Sequence, residues 1–334
     1  VWQQQKGFTP LQFYGIGHNR TNANIDLTPR TEDDHNRVSE TKQNWFNYSY
    51  ELFGNYDFSL NDEHNFNVFA GFTIGKGTNN GLSGSNVDVP FNSWTYADLS
   101  SASGGIEDQS TSSWQSVSRS VSLMGRVEYD FQEKYLASLT VRRDGSTSFG
   151  INNKFAIFPS ASIGWVTSNE EFFNSSTIDF LKLRASYGTV GNDNASPQFG
   201  TISTFPKYTF GQTIYSGSTL LGIPNNDVSW ENQTQTNIGV DLRMFDSKLK
   251  FTADYFIKTV DDLLFSPTLS LYLGIPSYPV ANIGKTETKG YEISLSYGDE
   301  ITENISFNTT FNFTTAENLV KEINNGDKYI WGSG

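Results

Sequence analysis

The stretch Val117 to Asp130, VSRSVSLMGRVEYD, decides the fold. Its odd positions carry Val117, Arg119, Val121, Leu123, Gly125, Val127 and Tyr129, and its even positions carry Ser118, Ser120, Ser122, Met124, Arg126, Glu128 and Asp130. Side chains of a strand alternate between two faces, so this strand is greasy on one side and wet on the other. Tyr135 to Asp144 repeats the pattern, with Tyr135, Ala137, Leu139 and Val141 set against Ser138, Thr140 and Arg142. Only Phe131 to Lys134 separates the two, which predicts a hairpin. The unit recurs at Val228 to Met244, which turns at Phe245 to Lys248 and returns through Leu249 to Ile257. Further copies are Phe46 to Phe58, Phe66 to Ile74, Phe155 to Trp165, Leu181 to Tyr187, Tyr291 to Tyr297 and Ile305 to Phe313.

Length separates the candidate architectures. Soluble strands average about five or six residues, whereas a tilted membrane strand needs about nine to eleven. Most of these stretches reach the second figure. Tyr129, Tyr135, Tyr255, Tyr291 and Tyr297 fall at stretch ends, the placement expected of aromatic girdles at two lipid interfaces. The chain is only 36% hydrophobic and has no run of about eighteen apolar residues, so a membrane helix is excluded. A barrel tolerates such polarity because half of each strand faces water. The expected fold is therefore all-β: a partial transmembrane antiparallel β-barrel of about ten meandering strands, forming one domain over residues 1–334.

The links alternate in length. Short ones at Leu60 to Glu63, Phe131 to Lys134, Ser168 to Phe180, Phe245 to Lys248 and Gly298 to Glu303 are expected at the periplasm. Long ones at Gly77 to Trp114, Gly145 to Asn153, Val190 to Asp227, Thr259 to Lys285 and beyond Ala316 are expected outside. Ser168 and Glu171 have capping-box spacing before Phe172 and predict a short helical turn in their link. Arg119 and Arg143 lie on the oily parity but at the loop ends of their strands, where a charge costs about 0 to 1 kcal/mol rather than about 2 to 4 at the midplane. The chain opens with Val1, carries no basic-then-apolar secretion segment and stops at Gly334 within an expected outside loop. Ten strands do not close a large cylinder, so a fragment is expected, with plug and last strands absent.

A family resemblance rests on Arg142 to Trp165, RRDGSTSFGINNKFAIFPSASIGW. It is similar to the signature of SusC/RagA-type TonB-linked outer-membrane transporters through Arg142, Asp144, Gly145, Ser146, Phe149, Gly150, Asn153, Phe158, Pro159, Ser160, Gly164 and Trp165. Four further matches follow in family order: NEEF from Asn169; LKLRASYGTVGN from Leu181, with Gly188, Gly191 and Asn192; VSWENQTQTNIGVDL from Val228, with Trp230 and Glu231; and NIGKTETKGYE from Asn282, with Gly284, Gly290 and Glu292. Residues before Ser116 carry only the strand pattern. The resemblance implies a 22-stranded barrel with an N-terminal plug, energised through the TonB complex and covered by a SusD-like lipoprotein lid, importing oligosaccharides or peptides.

These motif residues read mainly as structural. Asp144, Gly145, Ser146 and Gly150 suit a turn cluster, and Pro159 predicts a bulge or bend in its strand. Contacts to a glycan or peptide substrate, or to the lid, are expected from loop aromatics set among Asn, Ser and Gly: Trp94, Tyr96, Trp114, Tyr208, Tyr215, Tyr272 and Tyr278.

Other chemistry finds little footing. His18, His35 and His64 lack metal-ligand spacing, and no nucleophile elbow or phosphate loop occurs, so neither a catalytic site nor a cofactor is expected. Glu32, Asp33 and Asp34 read as a solvated acidic loop. A net charge of −13, from 23 Lys and Arg against 36 Asp and Glu, argues against nucleic acid, and with no cysteine there is no disulfide framework. Two alternatives stay open: a passive porin-like or structural outer-membrane barrel, and a soluble surface glycan-binding β protein.

Overall fold

A computed structural model describes residues 2–9, 35–194, 202–203, 207–211, 213–217, 219–220, 225–266 and 280–322. Eleven strands follow one another in a single open sheet in chain order. They are β1 (Trp2–Thr9), β2 (Arg37–Leu60), β3 (His64–Val87), β4 (Ser110–Phe131), β5 (Tyr135–Ser146) and β6 (Phe155–Val166), followed by β7 (Ile178–Asn192), β8 (Glu231–Met244), β9 (Leu249–Asp261), β10 (Lys285–Thr302) and β11 (Ile305–Glu322). The predicted meander is present, with one more strand than expected: β1, which pairs with β2. Two compact units share these strands. Residues 1–49 and 75–119 form the first, and residues 50–74 and 120–334 the second.

Several strands outrun the sequence reading. β2 and β3 are 24 residues each, more than twice what a tilted membrane strand needs. The Gly77 to Trp114 link accordingly shrinks to 88–109, and β11 continues past Ala316 to Glu322. β8 begins at Glu231 rather than Val228, and Tyr255 falls in the middle of β9, paired with Tyr291, rather than at a strand end.

Register settles the two faces. Directly opposed residues of an antiparallel pair share a face. One row runs Tyr129, Ala137, Ile163, Ala185, Ile238, Tyr255 and Tyr291 across seven strands. Leu139, Val240 and Phe251 belong to the same face, and Thr140, Asp241 and Thr252 to the opposite one. The oily row is not sandwiched in a core: Leu123 is 56% exposed, Leu139 55%, Ile163 65%, Ile238 61% and Phe311 60%. The other face carries a lattice of polar contacts, among them Ser138 with Ser162, Arg142 with Ser122, Ser294 with Asn312 and Ser296 with Thr310. A continuous apolar face this large is what a hydrocarbon neighbour requires. No described helix is long and apolar enough to cross a membrane.

The short turns are built from left-handed residues. Asn61 and Asp62 (φ 55° and 58°) and Gln132 and Glu133 (φ 52° and 55°) give two-residue loops in which both central residues have positive φ, the geometry whose twist matches a hairpin. Phe245, Asp246 and Ser247 are left-handed as well. Neighbouring turns are stitched together: the Gln132 backbone amide donates to the Glu63 carbonyl at 2.9 Å, the Asn169 side-chain Nδ2 to the Glu133 carbonyl at 2.9 Å, and the Phe245 backbone amide to the Thr177 carbonyl at 3.0 Å. In the 167–177 link a short 3-10 turn forms over Thr167–Asn169, but no side chain caps it. The Ser168 capping box is not made, because the turn starts one residue ahead of Ser168 and leaves its hydroxyl inside the turn.

Two residues of opposite parity test the face assignment. Replacing Leu139 by Arg is expected to cost about 2 to 4 kcal/mol in a bilayer, whereas Arg at Thr140 is tolerated. Outer-membrane yields and heat-modifiable gel mobility of the two variants of the full-length protein check this; equal behaviour would overturn the assignment.

Candidate functional site

The second unit concentrates the motif residues at its long-loop end. Phe149, Phe158, Val228 and Trp230 form a buried cluster with Ala156 and Leu264 packed against it, and the Trp230 ring lies 5.0 Å from Phe149 and 5.6 Å from Phe158. Gly191 makes this possible, since a Cβ there would fall inside the Phe158 ring. Gly150 does the same for the chain at Asn226, whose carbonyl occupies the space a Cβ would take.

Side-chain amides bind the separate loop bases to the cluster. Asn153 donates to the Asp227 carbonyl at 2.9 Å, and Trp230 Nε1 to the Lys154 carbonyl at 3.3 Å. Asn282 donates to the Ser229 carbonyl at 2.9 Å and accepts from the Ser229 amide at 2.8 Å, and it also donates to the Asp262 carbonyl at 3.1 Å. Glu231 accepts from Asn192 at 3.2 Å with one oxygen and from the Leu264 amide at 3.1 Å with the other. Gly284, at φ +100°, turns the chain into β10 where a side chain would be strained. Gly290 leaves no room for a Cβ beneath the Thr315 carbonyl and the Phe256 ring, while Glu292 stands exposed beside it on β10.

Two details of the motif differ from the sequence reading. Asp144, Gly145 and Ser146 end β5 rather than forming the turn: Asp144 accepts from Arg142 Nε at 2.8 Å, and Ser146 Oγ accepts from the Ser148 amide at 3.1 Å to start the turn proper. Pro159 creates no bulge. It sits opposite Val141 in an unshifted β5–β6 ladder, and the β6–β7 ladder begins only at Ser160, so no partner is waiting for the missing N–H. Arg143, on the oily face, lies 4.2 Å over the Phe155 ring near the loop end.

At the short-turn end, Trp165 and Glu170 make a second fixed point. Glu170 Oε1 accepts from Tyr135 OH at 2.6 Å and from Trp165 Nε1 at 2.9 Å, and Lys134 Nζ lies 3.8 Å from Oε2. The Tyr135 hydroxyl first, then the indole and the Lys134 ammonium, hold the Glu170 carboxyl below the usual carboxylate range.

On the wet face a cross-strand ion triad escaped the sequence reading. Arg184 on β7 reaches Asp241 on β8 at 3.2 Å and spans that strand to Asp254 on β9 at 2.6 Å. The bridge passes over Gly239, where a Cβ would collide with both the Asp254 carboxylate and the guanidinium. A glycine in mid-strand, flanked in register by opposite charges, is the signal that could have found it.

Loop aromatics divide. In the first unit, Trp94 and Tyr96 stand on a 3-10 turn, Trp94–Tyr96, and are 55% and 56% exposed. Their loop is anchored by buried Val38, Val89 and Ala97, and by Asn36, whose amide both donates to the Val89 carbonyl and accepts from the Val89 amide. Trp114 is not in a loop but in β4, its ring filling the space above Gly81. In the second unit, Tyr208 and Tyr215 are opposed in a two-stranded ribbon, and Tyr215 is exposed with Phe210 at 5.8 Å. Tyr272, Tyr278, His18 and the Glu32 to Asp34 run lie outside the described residues. Of the other histidines, His35 contacts Asp88 at 2.6 Å and His64 the Tyr129 hydroxyl at 2.8 Å. Among the described residues no group of His, Cys, Asp or Glu is arranged to hold a metal.

Trp230→Ala should cost about 3 to 5 kcal/mol, the usual penalty for emptying a packed aromatic site, read as a lowered urea midpoint in vesicles. Because the carboxyl of Glu170 is more acidic folded than unfolded, its contribution is present above about pH 4.3 and fades as pH drops through the lower folded value. Glu170→Gln is therefore expected to lower stability at neutral pH and to flatten the acid limb of the stability profile, measured by unfolding midpoints between about pH 3 and 7.

Comparison with known proteins places the chain. Residues 2–332 match the family model described as TonB dependent receptor-like, beta-barrel. TonB-dependent receptor P3 of Formosa agariphila is 34% identical over 267 residues, covering 79% of this chain and 26% of the relative. The TonB-dependent receptor SusC of Bacteroides thetaiotaomicron is 29% identical over 214 residues, covering 62% and 21% respectively. The chain thus spans about a quarter of the length of these curated relatives. Among solved structures, one titled as the RagAB peptide transporter superposes with a TM-score of 0.79 at 22% identity, over 91% of this chain and 33% of that one. The resemblance to SusC/RagA-type barrels carried by the motif string holds, and the chain belongs to the TonB-dependent receptor-like β-barrel family.

Proposed function

We propose that this chain is a wall segment of an outer-membrane transporter that imports oligosaccharides or peptides, is energised through the TonB complex and is closed from outside by a SusD-like lipoprotein. The observation that carries the reading is the two-faced sheet: an exposed apolar row for lipid backed by a hydrogen-bonded polar wall for an aqueous passage. Its family supports transport rather than catalysis, and the relative of known structure with the high TM-score is titled a peptide transporter.

Within this reading the motif residues serve as scaffold. The Phe158–Trp230 cluster and the Asn153 and Asn282 clasps hold the bases of three loops at fixed separation, and the loops between carry the specificity. Trp94, Tyr96 and Tyr215 supply aromatic faces for cargo or lid, and Tyr208, Tyr272 and Tyr278 are assigned the same role from sequence. Trp114, packed in its strand, is not.

Cells carrying the full-length gene should accumulate a labelled oligosaccharide or peptide cargo only with an intact TonB complex and a proton gradient; uptake that survives an uncoupler would make the barrel passive. Trp94→Ala with Tyr96→Ala is expected to weaken cargo or lid capture about tenfold, the equivalent of about 1.4 kcal/mol of lost ring contact, as measured by titration calorimetry on the purified transporter.

A further inference from the structure

The apolar face of the second unit is not uniformly ridged. In the row Tyr129, Ala137, Ile163, Ala185, Ile238, the two alanines are low points between large side chains. They lie on either side of Ile163 in the floor of a groove of about 580 Å³, bordered by Leu183 and Ile238 and closed toward the short turns by Tyr135 and Trp165. Its lining is overwhelmingly apolar, as a hydrocarbon chain requires.

The closed end of the groove is polar and charged in a particular way. Tyr135 and Trp165 both point their polar atoms at Glu170 Oε1, so the two rings are fixed in orientation. Glu170 Oε2 faces Lys134 Nζ at 3.8 Å, longer than a hydrogen bond, and both side chains are more than four-fifths buried. An anion and a cation, an ion pair with each other, therefore sit side by side behind the rings that close the apolar slot. The Val166 amide, bonded to the Lys134 carbonyl at 2.7 Å, ties this rim to β6.

We propose that this groove seats one phospholipid with a zwitterionic primary-amine headgroup, a phosphatidylethanolamine of the leaflet at the short-turn end. Its two acyl chains lie over Ala137 and Ala185, one on each side of Ile163, the headgroup ammonium binds Glu170 Oε2, and the phosphate binds Lys134. The charges match in sign: a phosphoethanolamine carries an anion and a cation a few atoms apart, and each finds its opposite. An anionic phosphatidylglycerol would satisfy Lys134 but leave Glu170 facing a hydroxyl, and a choline headgroup has no N–H to donate. The ionised state this needs of Glu170 is favoured by its hydrogen bonds from Tyr135 and Trp165. The inference rests on the oily face meeting lipid.

Native mass spectrometry of the full-length transporter in mild detergent, titrated with phosphatidylethanolamine, phosphatidylglycerol and phosphatidylcholine of identical acyl chains, tests it. The ethanolamine lipid is expected to be retained about fivefold over the other two, the size of effect one charge-assisted headgroup contact supplies. Lys134→Gln with Glu170→Gln should erase the preference while leaving some adduct. Ala185→Phe, which fills the slot, should remove the adduct itself, and Ala137→Phe is the second groove variant should the first not fold by heat-modifiable mobility. Equal retention of the three lipids by the unaltered protein, or an undiminished preference in the folded double variant, would overturn the proposal. Insertion of the unaltered protein is followed separately, by quenching of its tryptophan fluorescence with brominated lipid. Quenching without headgroup preference sinks only the lipid site, whereas no quenching sinks the membrane-facing assignment beneath it.

Discussion

In hydrocarbon a peptide N–H has no water to fall back on, and every one must find a carbonyl within the protein. That constraint fixes the antiparallel ladder, and the ladder fixes everything else about the wall. Because the pleat has a period of two, the register that satisfies the backbone also sorts side chains into a lipid set and a lumen set. Leu139, Ile163 and Ile238 are exposed for the same reason that Ser138, Ser162 and Asn237 are not beside them. Among the described residues the buried hydrophobic clusters are small, one around Trp230 and one around Val38, where loops rather than strands must be held.

Register in such a sheet needs protection, since a slip of one residue would turn the oily set inward. The Arg184 bridge offers it. Its guanidinium engages two carboxylates on two successive strands across the bare backbone of Gly239, and no slipped alignment of β7, β8 and β9 preserves that geometry. The pair of Asn282 bonds to the Ser229 backbone does similar service at the loop end, where the strands stop and the ladder no longer helps.

How far the sequence could be read follows from where water is. Where the two sides of a strand see different solvents, as from Phe46 to Ile74 and in the strands between Val117 and Phe313, alternation is strong, and the hairpins at 131–134 and 245–248 are legible from it. Beyond the membrane both faces see water, so selection for alternation lapses while backbone pairing continues. That is why β1, WQQQKGFT, was missed and why Gly77 to Trp114 read as loop although most of its ends are ladder. The motif string pointed to the family by resemblance, but not to the shape its residues take: nothing in Asp144 or Pro159 alone tells that one ends a strand and the other sits in an unbroken ladder. The Arg184 triad was invisible for a different reason, its members being 57 and 70 residues apart and joined only by register.

The stitched turns carry one more implication. Because the 60–63, 131–134 and 166–170 turns are linked in series, the first two by one hydrogen bond and the last two by the Val166 and Asn169 bonds to the Lys134 and Glu133 carbonyls, each hairpin arrives at the rim with a donor or acceptor that its predecessor completes. A rim fastened in this way resists sliding of one hairpin past the next, since a shift along the strand axis would part each of those donors from its acceptor.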